Sequence, residues 1–245
     1  MSDPRTIAVL RLGRVSYTDA LALQQRLAQA RAVGQVDRDI LLLLEHEPTI
    51  TMGRGTRPSS LPIAPEVLAG RGLTVAEVDR GGDVTWHGPG QLVGYPILDL
   101  QAHRADLHWY LRQVEEAVIG GLGRIGVAAA RRAGLTGVWV GSRKIASIGV
   151  HVRHWVTTHG FALNLTNRLD DFALIVPCGL NGVELTTVAL ELERLGAPVP
   201  DPASLWQRAE AALAASLGET FQREPVAATL ASLLPDGTEA PIETL

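Results

Sequence analysis

The apolar positions of this chain fall into short blocks whose spacing changes repeatedly along its 245 residues. Residues 7–10 read as a short strand. Residues 17–33 carry Leu21, Leu23, Leu27 and Ala30 at roughly helical spacing, which predicts a helix capped at Thr18 or Asp19 and ended by Gly34. A continuous apolar run at 40–44 has the length and flanks of a buried strand, and His46-Glu47-Pro48 breaks it. Thr49–Met52 is expected to continue the same sheet, and 56–72 to be irregular. A strand at 75–79 and an apolar stretch at 92–100 follow. Asp106 then caps a helix through about Leu122, weakened near its end by Gly120, Gly121 and Gly123.

The middle of the chain alternates with the period of strands. Residues 137–140, a Gly141-Ser142 turn, 144–152 and 155–165 predict an antiparallel meander. Helices are expected at 186–195 and at 203–217, the second behind Asp201-Pro202. After Phe221 the signal fades, and the Pro/Gly/acid-rich end at 234–245 reads as frayed. Strands segregated from helices, without sustained βαβ alternation, define an α+β fold.

Composition narrows the function classes. A hydrophobic content of 46% supports a sizeable core, and a net charge of -4 argues against binding nucleic acid or an anionic membrane. No apolar run approaches the roughly 20 residues that span a bilayer. One cysteine cannot form an intramolecular disulfide, and Met1-Ser2-Asp3-Pro4 has neither the charged nor the apolar part of a signal peptide, so the expected location is cytoplasmic.

Lys144 is the single lysine among the 22 basic residues, and Cys178 the single cysteine. Where arginine serves almost everywhere as the cation, a retained amine suggests a compact group with a tunable pKa. On strand alternation Lys144 shares a face with Ala146 and Ile148, while Ile145 and Ser147 face the other way. Cys178 sits between Pro177 and Gly179 at a sharp bend. An unperturbed thiol is about 3% thiolate at pH 7, and lowering its pKa by roughly two units raises that fraction about 25-fold. A nearby ammonium can supply much of that shift.

The segment 80–91, Arg80-Gly81-Gly82-Asp83-Val84-Thr85-Trp86-His87-Gly88-Pro89-Gly90-Gln91, is too rich in glycine and proline for ordinary strand or helix, and reads as a loop pressing backbone N–H groups and polar side chains against a ligand. It is neither a G-x-G-x-x-G nor a Walker pattern. His159-Gly160-Phe161-Ala162-Leu163-Asn164 suits an apolar channel or a buried strand. His151 and His154 point to opposite faces of a strand, and no second cysteine or carboxylate cluster completes a metal site. A Cys-His hydrolase using Cys178 with His87 or His159 is a competing arrangement.

In order and spacing, these segments resemble the lipoyl(octanoyl) transferase family across about residues 41–190: Pro48 to Arg54, Arg80 to Pro96, Gly137-Val138-Trp139-Val140, Lys144 to Gly149, Trp155 to Asn164 and Pro177-Cys178-Gly179. The resemblance implies a bent mixed β-sheet with flanking helices, similar to the biotin and lipoate protein ligase catalytic domain. It implies one acyltransferase domain over 1–217 and a C-terminal extension over 218–245. It implies that Cys178 carries the acyl group as a thioester and that Lys144 lowers its pKa and moves protons. Arg80, Gly81, Gly82, Asp83, Val84, Thr85, Trp86, His87, Ser147, Ile148, Gly149, Gly160, Phe161 and Ala162 would then surround the acyl substrate. The implied donor is octanoyl-acyl carrier protein. The implied acceptors are lipoyl domains of 2-oxoacid dehydrogenase E2 subunits and the glycine cleavage H protein, with no metal and no cofactor beyond the phosphopantetheine arm. An ATP-dependent ligase of the same fold and a noncatalytic acyl-binding module are the alternatives. The family commonly carries Thr-Ser-Leu after the cysteine, where this chain has Leu185-Thr186-Thr187-Val188. Arg54, Arg57, Arg131, Arg132 and Arg143 could meet acidic partner domains.

Overall fold

A computed structural model describes residues 5–176 and 182–234. Strand β1 (Thr6–Val15) leads into helix α1 (Tyr17–Ala32), then β2 (Asp39–His46), β3 (Thr49–Met52), a short helix α2 (Pro65–Ala69), β4 (Thr74–Glu77), β5 (Val84–His87) and β6 (Gln91–Ile97). Helix α3 (Leu107–Arg124) precedes β7 (Ala130–Arg132), β8 (Leu135–Val140), β9 (Arg143–Arg153) and β10 (Val156–Asn164). Helices α4 (Val188–Arg194) and α5 (Pro202–Phe221), strand β11 (Glu224–Ala227) and a final turn of helix, α6 (Leu230–Leu233), complete the described chain. Among the described residues no helix is long and apolar enough to cross a membrane.

Eight strands form one mixed sheet in the order β11-β1-β2-β6-β10-β9-β8-β7, and three form a smaller sheet, β4-β3-β5. The apolar run of β2 is continuous because both faces are covered. Leu41 and Leu43 pack with α3 and α5, while Ile40, Leu42 and Leu44 pack with α1. Helix α1 covers only part of its face of the large sheet. The small sheet and the chain around residue 80 cover the remainder, tied on where the Gly81 N–H donates to the Val150 carbonyl at 2.9 Å.

Several expectations are corrected. Thr49–Met52 does not continue the large sheet; it pairs with β4 and β5, because His46-Glu47-Pro48 turns the chain out of plane. The cap of α1 is Ser16, whose hydroxyl accepts from the Asp19 N–H and donates to the Asp19 carboxylate. Residues 56–72 contain a helical turn, Pro58–Ser60, as well as α2. Segment 80–91 does contain regular structure, since Val84–His87 pairs antiparallel with β3. His154 and Trp155, with φ of 51° and 64°, make the two-residue turn between β9 and β10. The expected boundary at 217 falls inside α5, and Glu224–Ala227 pairs parallel with β1. Residues 235–245 lie outside the described residues.

Candidate active site

Between the large sheet and the small one lies a cavity of about 660 Å³, a size suited to a small organic ligand. Lys144 reaches it because β9 is irregular. Trp139 is registered with Lys144 but Val138 with Ala146, so β9 carries one extra residue there. This bulge resets the alternation. Ile145, Ala146 and Val150 belong to the core on the α3 side, whereas Lys144, Ser147 and Gly149 line the cavity. The alternation expected from sequence, with Lys144 and Ala146 on one face, is therefore corrected.

The Lys144 side chain runs through a narrow slot. A Cβ on Gly137 would stand 2.7 Å from Lys144 Cε and 2.8 Å from the Ala146 carbonyl oxygen, and Gly137 has φ +127°; only glycine fits. The Lys144 ammonium lies 5.6 Å from the centre of the Trp139 ring, which Arg132 also approaches, at 5.3 Å. Burial alone lowers the Lys144 pKa, to about 8. At pH 7 about nine-tenths of it is protonated, yet it can give up its proton one unit above neutrality. Its backbone pairs with a segment further along: the Lys144 N–H donates to the Glu184 carbonyl and the Thr186 N–H donates to the Lys144 carbonyl, at 2.9 and 3.0 Å.

Arg80, Gly82, Asp83, Val84, Thr85, His87, Ser147, Ile148, Gly149, Gly160, Phe161 and Ala162 all border the cavity. Gly81 and Trp86 do not. Trp86 alternates to the other side of β5 and packs against Phe172 with ring centres 5.4 Å apart. Arg80 is buried, and its guanidinium donates to the Thr51 carbonyl and hydroxyl at 2.8 Å each. His87 Nδ1–H donates to Gln91 Oε1 at 2.8 Å; the Gln91 amide in turn donates to Asn164 Oδ1, and Asn164 to the Thr186 carbonyl. Burial pushes the His87 pKa well below its ordinary value, so the ring is neutral.

Cys178 lies outside the described residues, which stop at Val176 and resume at Gly182. Both of those residues line the cavity. The Val176 N–H donates to the Ser60 carbonyl at 2.8 Å, and the Ser60 hydroxyl donates to Asp83 Oδ2 at 2.9 Å. Residues the sequence did not single out include Tyr17, Tyr95 and Asp79. Tyr17 and Tyr95 line the cavity, and Asp79 accepts from His159 Nε2–H at 2.8 Å. An aromatic residue opening a helix, or standing inside an apolar strand, reads as core; no local signal marks it as a cavity wall. Among the described residues no cluster of His, Cys, Asp and Glu is arranged to hold a metal ion.

The family model described as the lipoyl protein ligase A/B catalytic domain matches residues 16–204. The fold is similar to that of lipoate-protein ligase A bound with ATP, with a TM-score of 0.68, 16% identity, and coverage of 93% of this chain and 90% of that one. Among relatives, the octanoyltransferase of Chloroflexus aurantiacus is 46% identical over 93% of this chain and 99% of its own. That of Koribacter versatilis is 50% identical over 76% of each. The chain belongs to the lipoyl protein ligase A/B catalytic-domain family and, within it, to the octanoyltransferases, acyltransferases of the lipoyl(octanoyl) transferase class.

Proposed function

We propose that the protein moves an octanoyl group from octanoyl-acyl carrier protein to a lysine of a lipoyl domain, through a thioester on Cys178. The observation that carries this reading is the buried, partly deprotonatable Lys144 amine in a cavity whose wall includes Val176 and Gly182, the residues that bracket 177–181. The backbone pairing of Lys144 with 184–186 supports it further, because it fixes the lysine against the segment that follows the cysteine in sequence.

The chemistry needs two displacements. The Cys178 thiol gives its proton to the Lys144 amine, and its sulfur bonds to the octanoyl carbonyl carbon. The carbon–sulfur bond to the phosphopantetheine arm breaks, and the arm leaves as a thiol carrying that proton. A neutral lysine amine of the acceptor then attacks the acyl-cysteine, its nitrogen–carbon bond replacing the bond to Cys178. The amine's surplus proton passes through Lys144 back to the cysteine sulfur. Thioester exchange is nearly isoenergetic and amide formation is downhill, so no nucleotide or further cofactor is required. Lipoyl domains of 2-oxoacid dehydrogenase E2 subunits and the glycine cleavage H protein are the acceptors that match this chemistry. Of the arginines offered to such acidic partners, Arg143 is held by Glu191 at 2.8 Å and Arg131 by Glu115 and Glu116. Arg54, Arg57 and Arg132 are exposed.

The test is intact-protein mass spectrometry after incubation with octanoyl-acyl carrier protein. Wild type is expected to gain an octanoyl adduct that hydroxylamine removes, and Cys178→Ser to gain none. Transfer by Cys178→Ser, or labelled ATP exchange without any adduct, would instead indicate direct transfer or a ligase.

A further inference from the structure

One wall of the cavity has no part in this proton bookkeeping. Tyr17 at the start of α1, Tyr95 on β6 and His159 on β10 form it, with His46 behind them. Their polar atoms are used up on fixed partners. The Tyr95 hydroxyl donates to His46 Nε2 at 2.6 Å, and His46 Nδ1–H donates to the Val15 carbonyl at 3.0 Å. The Tyr17 hydroxyl lies 3.4 Å from His159 Nδ1, whose other nitrogen is held by Asp79. Burial holds Tyr17 and Tyr95 neutral, raising the Tyr17 pKa to about 12. Such a wall shows a ligand ring surface rather than free donors. It also resists yielding, because swinging the Tyr95 phenol aside leaves a buried imidazole nitrogen without its donor.

The floor leading to this wall is made of small side chains. Ser147 on β9 is registered with Ala162 on β10, and Ala162 with Val93 on β6. All three line the cavity, as do the paired glycines Gly149 and Gly160 beside them. This row runs from Ser147 to Val93, two strand spacings or about 10 Å across the sheet, with Tyr95 two residues further along β6 from Val93. An extended eight-carbon chain with staggered bonds of about 1.5 Å spans about 9–10 Å.

We infer that Tyr17, Tyr95 and His159 form the stop that sets acyl-chain length, meeting the methyl end of an eight-carbon chain laid across the Ser147-Ala162-Val93 floor. This rests on the octanoyl-transfer reading and adds its length determinant. The three residues are specificity-determining rather than catalytic: they touch the unreactive end of the substrate.

The experiment compares wild type with Tyr17→Ala, Tyr17→Leu and Tyr17→Phe, using octanoyl and dodecanoyl groups on acyl carrier protein. Native mass spectrometry of the same proteins with free octanoate and dodecanoate provides a readout that needs no transfer. Removing the ring is expected to raise the dodecanoyl-to-octanoyl ratio of kcat/KM, and of binding, by about ten-fold or more. Tyr17→Phe keeps the ring and should leave both ratios within about two-fold of wild type. Tyr17→Leu decides the matter if Tyr17→Ala does not fold. An unchanged ratio in a folded ring-deleted variant overturns the inference. So does an equal loss for both chain lengths in Tyr17→Phe with a moved pH profile, which would mark a proton relay. The octanoyl adduct on wild type tests the transferase reading by itself, so either idea can fail while the other stands.

Discussion

Lys144 shows how a single side chain can be costly to the fold and useful to the site. Its pKa of about 8 in place of 10.5 means that the folded protein holds the charged amine less willingly than the unfolded chain does. The burden is fully present below pH 8 and is relieved as pH rises from 8 to 10.5, where the unfolded chain still binds the proton and the folded one has released it. Lys144→Met should therefore stabilise the protein at pH 7 by about 1–3 kcal/mol. The advantage should shrink towards zero by about pH 10.5 in parallel urea titrations, and octanoyl transfer should be abolished. Lys144→Arg keeps the charge but cannot serve as a base, and a guanidinium is too wide for the slot beside Gly137. Its transfer rate should fall by about 10²-fold or more in steady-state assays; an unchanged rate would remove the acid-base role. The sequence singled out this residue by scarcity, and the structure adds the bulge, the glycine slot and the indole that hold it. Those three could not be read from spacing, since a bulge is a mismatch between two strands and neither strand declares it alone.

At the scale of elements, α3 is capped by Asp106 and ends within two residues of Leu122, as the sequence places it, and two of the glycines near its end serve its packing on α5. The glycines let α5 come close: a Cβ on Gly120 would meet Ser216 Oγ at 2.3 Å, and one on Gly121 would meet Leu213 Cδ2 at 2.8 Å, whereas Gly123 faces open space. Tertiary contact here outweighs propensity. Gly123→Ala should raise stability by about 0.5–1 kcal/mol, and Gly121→Ala should lower it by about 1–3 kcal/mol through overpacking. Chemical denaturation of the two variants checks both signs. The departure from the family's Thr-Ser-Leu pattern also resolves at this scale. Thr187 accepts the Leu190 N–H as the cap of α4, a task serine and threonine both perform. The Thr186 hydroxyl donates to Glu191, which Arg143 and Arg194 hold as a carboxylate with a pKa of about 2. The arginine next to Lys144 is thereby tied to the segment that pairs with the Lys144 backbone.

For the whole molecule, the C-terminal part of the described chain belongs to the sheet. Strand β11 extends it beyond β1, and Arg223 reaches the buried carboxylate of Asp39, which His103 and Arg31 also approach. Leu233 packs on the α1 side of the large sheet. Ending the chain at Gln222 should expose the β1 edge and strip a partner from Asp39, at a cost of about 3 kcal/mol, or about 6–12 °C in Tm for a chain of this size. Calorimetry should show that loss, while kcat at 25 °C stays near wild type because, among the described residues, none of those removed lines the cavity. By itself the sequence determined the α+β class and the meander of β8 to β10, and it singled out Lys144 and Cys178 as candidates, because periodicity, turn residues and scarcity are properties of the chain read locally. Tertiary structure alone decided that β3 to β5 form a second sheet, that β11 closes an edge, and that Trp86 leaves the cavity while Tyr17 and Tyr95 wall it. Each of those outcomes depends on what lies across a gap from the residue, and a linear pattern of apolar and polar positions carries no record of its neighbour in space.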